Sequence, residues 1–332
     1  MSDPSFSEDR SSSFSAVIYH RHVQHQRSVM FSPMGCELTV RCDDAAVVQA
    51  IAGTLGAYPA GLGIGGSLLL EIDVVPDTAA DPGWPEVTAE HSEGRMTVRC
   101  GASTAVVDQH AGVASIRLSR SLASITDAVR LLAEAAFTSV NVAQGRLHAV
   151  HSALVARAGT GLLLRGPSGA GKSTLTYSCL RLGMDVVSDD WVYAPARGPV
   201  AELAGYPWRM MMTREAAARF PELAGVQLVP HTSAEGWKVP VVPPADRRHA
   251  VHGVDAVVLL DPSARLELRP ADPEEATRRF WEASLPVERD HLHPDWVEQL
   301  LSRPTYVLHR GTSPEAAARL LEELAERCPT SC

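Results

Sequence analysis

At 332 residues the chain is long for a single core and predicts two domains. Hydrophobic residues make up 45% and charged residues 21%, the balance of a soluble globular protein. The net charge of −9 argues against a nucleic-acid binder, which would present a basic face, while leaving room for a local basic pocket.

Cys36, Cys42, Cys100, Cys179, Cys328 and Cys332 form no C-x-x-C pair and no zinc-spaced cluster with histidine. Reduced thiols in a cytoplasmic protein are the simplest reading. The N-terminal segment has acidic residues and serines but no apolar signal region. No run approaches the roughly 20 apolar residues that span a bilayer.

Residues 1–16, serine-rich and without apolar periodicity, predict a disordered tail. His20, His22 and His25 follow in a polar segment that reads as flexible rather than metal-binding. Residues 17–145 predict a smaller, β-rich α+β domain. Its candidate strands are Cys36–Cys42, Leu68–Val75, Met96–Cys100, Thr104–Val107 and Ala114–Leu118, with a loop over Ala79–Pro85. A helix starts near Ser124-Ile-Thr-Asp127 and carries Val129, Leu132 and Ala136 on one face. Nothing in this part has recognisable chemistry; acceptor recognition or assembly is the role its position suggests.

Residues 146–328 predict an α/β domain. Val150–Ala156 and Gly161–Arg165 read as strands, then a Gly-rich loop, then a helix from Lys172 to Leu182 stopped by Gly183. Val186–Ser188 reads as a strand ending in Asp189-Asp190. Val254–Leu260 and Tyr306–His309 are short buried strands, and Glu315–Arg327 is an amphipathic helix.

The strongest motif is G-x-x-x-x-G-K-[ST], written here Gly166-Pro167-Ser168-Gly169-Ala170-Gly171-Lys172-Ser173 and followed by Thr174. Glycines let the backbone approach phosphate oxygens, and the N–H groups of the loop and helix start face the anion. Lys172 neutralises the β- and γ-phosphates of ATP, and the Ser173 hydroxyl is placed to ligate Mg²⁺. A chance match in a glycine-rich loop is the bland alternative; the apolar strand before and the helical run after argue against it.

Asp189-Asp190 stands 17 residues after Lys172, unusually early for the metal-linked acid of a P-loop protein. One carboxylate suits Mg²⁺ and the other suits the proton of an attacking hydroxyl; a solvated turn is the alternative. Asp261, ending a Val-Asp-Ala-Val-Val-Leu-Leu-Asp run, resembles a Walker B acid, but an Asp-Pro turn explains it and the earlier pair already fills the role. By pattern alone His151 reads as a core histidine and Arg247-Arg248 as a loop pair that an arginine role at phosphate would also fit.

Together, His151-Ser-Ala-Leu-Val, the loop through Ser173, and Leu180-Arg-Leu-Gly-Met-Asp-Val-Val-Ser-Asp-Asp190 resemble the catalytic domain of HPr kinase/phosphorylase and its diverged relatives, over about residues 146–262. The resemblance implies a P-loop kinase fold akin to that of phosphoenolpyruvate carboxykinases and transfer of the ATP γ-phosphoryl group to a hydroxyl, usually of serine. It implies Asp189 as the base, Asp190, Ser173 and Glu202 as Mg²⁺ ligands, His151 near the acceptor or orienting Asp189, and Arg247 or Arg248 at the phosphates. Thr174 stands where the family has Glu, and Gly205-Tyr-Pro-Trp-Arg209 replaces its Gly-rich segment. These departures point away from HPr and toward HPr-kinase-like enzymes acting on other hydroxyls, among them kinases of lasso-peptide precursors. The expected partner is a peptide or protein Ser/Thr, or a small-molecule alcohol, with no nucleic acid or membrane and with a homo-oligomer in keeping with the family. An ATP-sensing regulator without catalysis is the alternative, and the intact aspartate pair speaks against it.

Overall fold

The computed structural model describes residues 27–77, 87–198, 200, 202–230 and 237–328. The expected tail at 1–16, His20, His22, His25, the loop at 79–85 and Cys332 lie outside the described residues. The fold is mixed α/β with several sheets.

The first sheet is built from β1 (Ser28–Phe31), β2 (Glu37–Arg41), β3 (Ser67–Val75), β4 (Val87–Ser92), β5 (Arg95–Cys100), β6 (Ser103–Asp108) and β7 (Val113–Ser119). Its order is β1-β2-β3-β7-β6-β5-β4. The β2–β3 and β3–β7 pairs are parallel, and the others antiparallel. A parallel neighbour needs a crossover, which α1 (Ala45–Ala52) supplies between β2 and β3. Asp44 caps that helix by accepting from the Ala46 and Val47 amides. A single turn, α2 (Arg120–Ala123), leads into α3 (Thr126–Ala143). Alternate residues Leu68, Leu70 and Ile72 of β3 face the core, where they join Val129, Leu132, Ala136 and Phe137 of α3. The five predicted strands and the predicted helix are present; β1, α1 and β4 are additional. β4 has little apolar content to read, being exposed at the sheet edge along nearly its whole length.

The run expected as one strand at Val150–Ala156 is two. β8 (Leu147–Val150) and β9 (Ser152–Arg157) enter different sheets, and His151 is the break between them. Next come β10 (Thr160–Arg165), α4 (Lys172–Arg181), β11 (Asp185–Ser188), β12 (Val192–Pro195), β13 (Glu202–Gly205), β14 (Met210–Met212) and α5 (Arg214–Ala217). They are followed by β15 (Val229–Pro230), β16 (Trp237–Val241), β17 (Val251–Gly253), β18 (Ala256–Asp261), β19 (Leu266–Pro270), α6 (Pro273–Glu282), α7 (Pro286–His291), α8 (Pro294–Leu301), β20 (Thr305–Arg310) and α9 (Pro314–Arg327).

The central sheet runs β11-β9-β10-β18-β20-β19, with β10, β18 and β20 mutually parallel. Its inner strands β9, β10 and β18 are apolar and buried on both faces, as a covered sheet requires. Leu162, Leu164 and Val258 meet Leu175 and Cys179 of α4 and Leu321 of α9 on one side. On the other side Leu163, Val257 and Leu259 meet Phe280 of α6 and Trp296 and Leu300 of α8, together with Val192 and Leu203. Those last two belong to a four-stranded antiparallel sheet, β17-β13-β12-β8. A small sheet, β14-β16-β15, stands beside α4.

Gly205-Tyr-Pro-Trp-Arg209 has a packing role. A Cβ on Gly205 would run into the Val187 backbone, so only glycine lets β13 pass β11. Trp208 packs edge-on to Tyr58 at 5.4 Å and Arg209 pairs with Asp127 of α3, so this segment docks against the first core. Among the described residues no helix is long and apolar enough to cross a membrane.

Candidate active site

β10 delivers the chain from the middle of the central sheet into the loop at Gly166, and α4 begins at Lys172. The loop fits tightly where it leaves the strand: a Cβ on Gly166 would stand 3.0 Å from Leu260 and Ala170. Gly171, the residue before α4, has φ +93°, which L side chains rarely adopt. Lys172 is buried and folds back over the loop, donating to the Gly166 carbonyl at 2.9 Å and the Pro167 carbonyl at 3.3 Å. Burial lowers its ammonium pKa to about 8, although the Asp190 charge opposes the shift.

The aspartates leave the end of β11 in different directions. Asp189 is buried, 6% exposed; it accepts from the Met211 amide at 3.3 Å, and the Ser173 hydroxyl is near enough to favour its charged form. Burial, reinforced by the neighbouring Asp190 charge, raises its pKa to about 7. The Asp190 side chain is 54% exposed, and its Oδ1 lies 3.1 Å from His151 Nε2. Partial burial works against its charge, but the His151 hydrogen bond and the nearby Lys238 and Lys172 cations prevail and hold it below the ordinary carboxylate range. Two adjacent carboxyl groups thus have environments that push their proton affinities apart.

A cleft of about 410 Å³ opens over the loop, bounded by Ser168–Thr174, His151 and Asp190 on one side and by Met211, Thr213 and α5 on the other. Lys172, Lys238, Arg219 and Arg310 line it against Asp190 and Glu215, so its lining is cationic in a chain of net charge −9. Among the described residues no group of three or more His, Cys, Asp or Glu is arranged to hold a metal ion. Ser173 with the two aspartates instead offers the hydroxyl and one or two carboxylates that suit a Mg²⁺ sharing its shell with phosphate oxygens.

No protein-family model matches this chain, and no curated protein sequence matches it. Among solved structures, the Hpr(Ser) kinase/phosphatase from Coxiella burnetii is similar to it at 13% identity with a TM-score of 0.28, over 54% of this chain and 97% of that one. At those values the relation is distant. The chemistry is therefore argued from the residues of this chain.

The cleft brings together the loop, His151 and Asp190, with Asp189 behind them. It does not gather the other predicted positions. Glu202 is exposed at the start of β13, opposite Gly253, and is not among the residues lining the cleft. Arg247 donates to the Gly183 carbonyl at 2.7 Å and pairs with Asp185 at the beginning of β11, a strand length of roughly 13 Å from the aspartate pair. Arg248 bridges to Val186 in the same strand. Beyond Lys172, the cations at the cleft are Arg219, Lys238 and Arg310 instead. Arg310, at the end of β20, brings its guanidinium close to Gly171, and its buried Nε has no partner. Asp261, next to the loop at the end of β18, is paired with Arg279 at 3.1 Å.

Beneath the loop lies a charged node that the sequence did not announce. Arg165 and Glu288 are both 0% exposed and meet at 2.6 Å. Arg165 also donates to Ser284 Oγ at 2.6 Å and to the His151 carbonyl at 3.1 Å, and its guanidinium lies 4.4 Å over the Phe280 ring. Glu288 accepts the His151 amide at 2.9 Å and the Leu285 amide at 2.6 Å. The node fixes the backbone of His151 to the residue that begins the loop. An arginine ending an otherwise apolar strand was the one available signal.

Proposed function

We propose that this protein is a Mg-ATP-dependent kinase that transfers the γ-phosphoryl group to a hydroxyl. The observation that carries the reading is the divided aspartate pair: Asp189 against the loop hydroxyl of Ser173, and Asp190 open beside Lys172 and bonded to His151. A nucleotide-binding loop alone needs no second carboxylate facing an acceptor. Loop amides, Lys172 and Arg310 would hold the triphosphate, and Ser173 with Asp189 would hold Mg²⁺, which neutralises phosphate charge when bound.

The contacts favour the reverse of the division of labour expected from the resemblance. Asp189 lies near enough to Ser173, the expected metal ligand, for that hydroxyl to favour its charge, while Asp190 faces the cleft. By position Asp190 is therefore the better-placed base, oriented by His151, and Asp189 the better-placed metal ligand, although Asp189 has the higher proton affinity of the two. The acceptor hydroxyl oxygen bonds to the γ-phosphorus as the bond to the β-phosphate oxygen breaks. ADP leaves with that electron pair, and the hydroxyl proton goes to Asp190. Lys172, Lys238 and Arg310 offset the charge on the transferring group.

The reading is tested by incubating the protein with Mg²⁺ and γ-labelled ATP, adding separately the small-molecule and peptide fractions of a cell extract. Label in an alkali-resistant phosphate ester, lost in Lys172→Ala, is the expected result. ATP that binds but labels nothing, and is not hydrolysed, would instead favour a nucleotide sensor.

A further inference from the structure

A second cavity, about 340 Å³, meets the nucleotide cleft at Asp190, which lines both. One wall is a face of α3 at the margin of the first core, where Ala135, Val142 and Trp191 are partly buried against it. Leu131, Ala135, Thr138 and Val142 recur at helical spacing there, and Trp191 and Tyr193 stand opposite. Besides the Arg130–Glu134 ion pair, what this face leaves for a ligand is small, apolar or neutral.

The charges at its rim are already committed. Arg130 pairs with Glu134 at 2.7 Å, and Glu288 belongs to the node with Arg165. Glu134 Oε1, in contrast, is buried without a hydrogen-bond partner. Burial also raises the Glu134 pKa, so the site disfavours additional negative charge. The one cation a phosphate or carboxylate would meet in this lining is Arg130, whose guanidinium is already paired with Glu134 although its Nε is buried without a hydrogen-bond partner. An uncharged ligand with an apolar body and a donor for Glu134 fits each of these features.

We propose that this cavity is the acceptor subsite, and that the phosphate acceptor is an uncharged, largely apolar group carrying its hydroxyl toward Asp190. The proposal rests on the kinase reading above and adds the chemical class of the acceptor. The body lies between α3 and Trp191, the hydroxyl emerges beside the Asp190 carboxylate, and the γ-phosphate arrives from the other side of the same residue. That chemistry has two sources: a free small alcohol, or an apolar side chain flanking a serine in a peptide.

The test has a binding arm that does not depend on catalysis. In fluorotryptophan-labelled protein, with the Trp191 resonance assigned through Trp191→Phe, benzyl alcohol is titrated and compared with benzoate, an anion of similar size. The expected result is a saturable shift of Trp191 with benzyl alcohol, its loss in Ala135→Phe and in Ser139→Phe (Ser139 of α3 also lines the cavity), and no shift with benzoate. Equal shifts by the anion, no shift with the alcohol, or an unchanged shift in both folded variants would overturn the proposal.

The transfer arm uses γ-labelled ATP with the small-molecule fraction and with a library of serine peptides varied at the flanking positions. Whichever source is labelled identifies itself, and the filled variants lower that transfer roughly tenfold or more while ATP affinity stays at the wild-type value. Undiminished transfer by both variants counts against the subsite. Absence of ATP binding in wild-type protein defeats the kinase reading separately, because the Trp191 titration still reports on the cavity.

Discussion

The two hollows on either side of Asp190 are close in size and opposite in character. The cleft over the glycine-rich loop is made of glycines, hydroxyls and cations, and its key lysine is held by backbone carbonyls of its own loop. The cavity on the far side is made of a helix face with small and apolar side chains, and its charges are paired among themselves. On the proposed reading, one region holds an anion by geometry that every triphosphate shares. The other is built to hold whatever shape fills it. Asp190 is the group common to both, which is where a proton acceptor for phosphoryl transfer has to stand.

The comparison predicts unequal responses to substitution. The largest effect on ATP binding is expected at Lys172. Lys172→Ala should weaken Mg-ATP binding and lower transfer by roughly 100-fold or more, read by calorimetric titration and label transfer, with the shift of Trp191 by benzyl alcohol unaffected. A variant that bound ATP as well as wild type would move the phosphate site away from this loop.

Next comes the buried node, which supports both hollows. Glu288→Gln leaves Arg165 charged and buried without its carboxylate, a change that costs about 3–5 kcal/mol in comparable buried pairs. A lower urea midpoint is the expected outcome, along with a Trp191 signal disturbed through His151. An unchanged midpoint would mean that Arg165 is satisfied by Ser284 and backbone carbonyls alone. The smallest effect belongs to Arg310. Arg310→Ala should weaken ATP by about tenfold, the worth of one charge-assisted contact, and leave the second cavity untouched.

Much of this arrangement is legible in the sequence because it is local. The loop glycines, Lys172, Ser173 and the aspartates lie within 25 consecutive residues, and their spacing alone describes strand, loop, helix and strand. The period-two and helical patterns that gave β3, β5, β6, β7 and α3 are equally local. What escaped notice is long-range. Arg165 and Glu288 are 123 residues apart, and neither position carries a pattern that names the other. Arg310 and Lys238 reach the cleft from β20 and β16, strands that pattern places in no particular sheet. Arg247 and Arg248 show the converse: a cationic pair near the right place in the chain is carried by the β11 register to the wrong end of the strand. The break at His151 was hidden because the residues on both sides are apolar, and apolarity alone does not say that a strand changes sheets.

The most direct test of the account is label transfer by Asp189→Asn and Asp190→Asn measured in parallel across a Mg²⁺ titration, with ATP affinity measured on the same samples. The divided pair predicts that Asp190→Asn lowers transfer by roughly 10²–10⁴ at every Mg²⁺ concentration with ATP affinity retained. It predicts that Asp189→Asn shifts the Mg²⁺ requirement upward and recovers part of its activity as Mg²⁺ is raised. Wild-type transfer by Asp190→Asn, or a Mg²⁺ dependence displaced in that variant and not in Asp189→Asn, would contradict it.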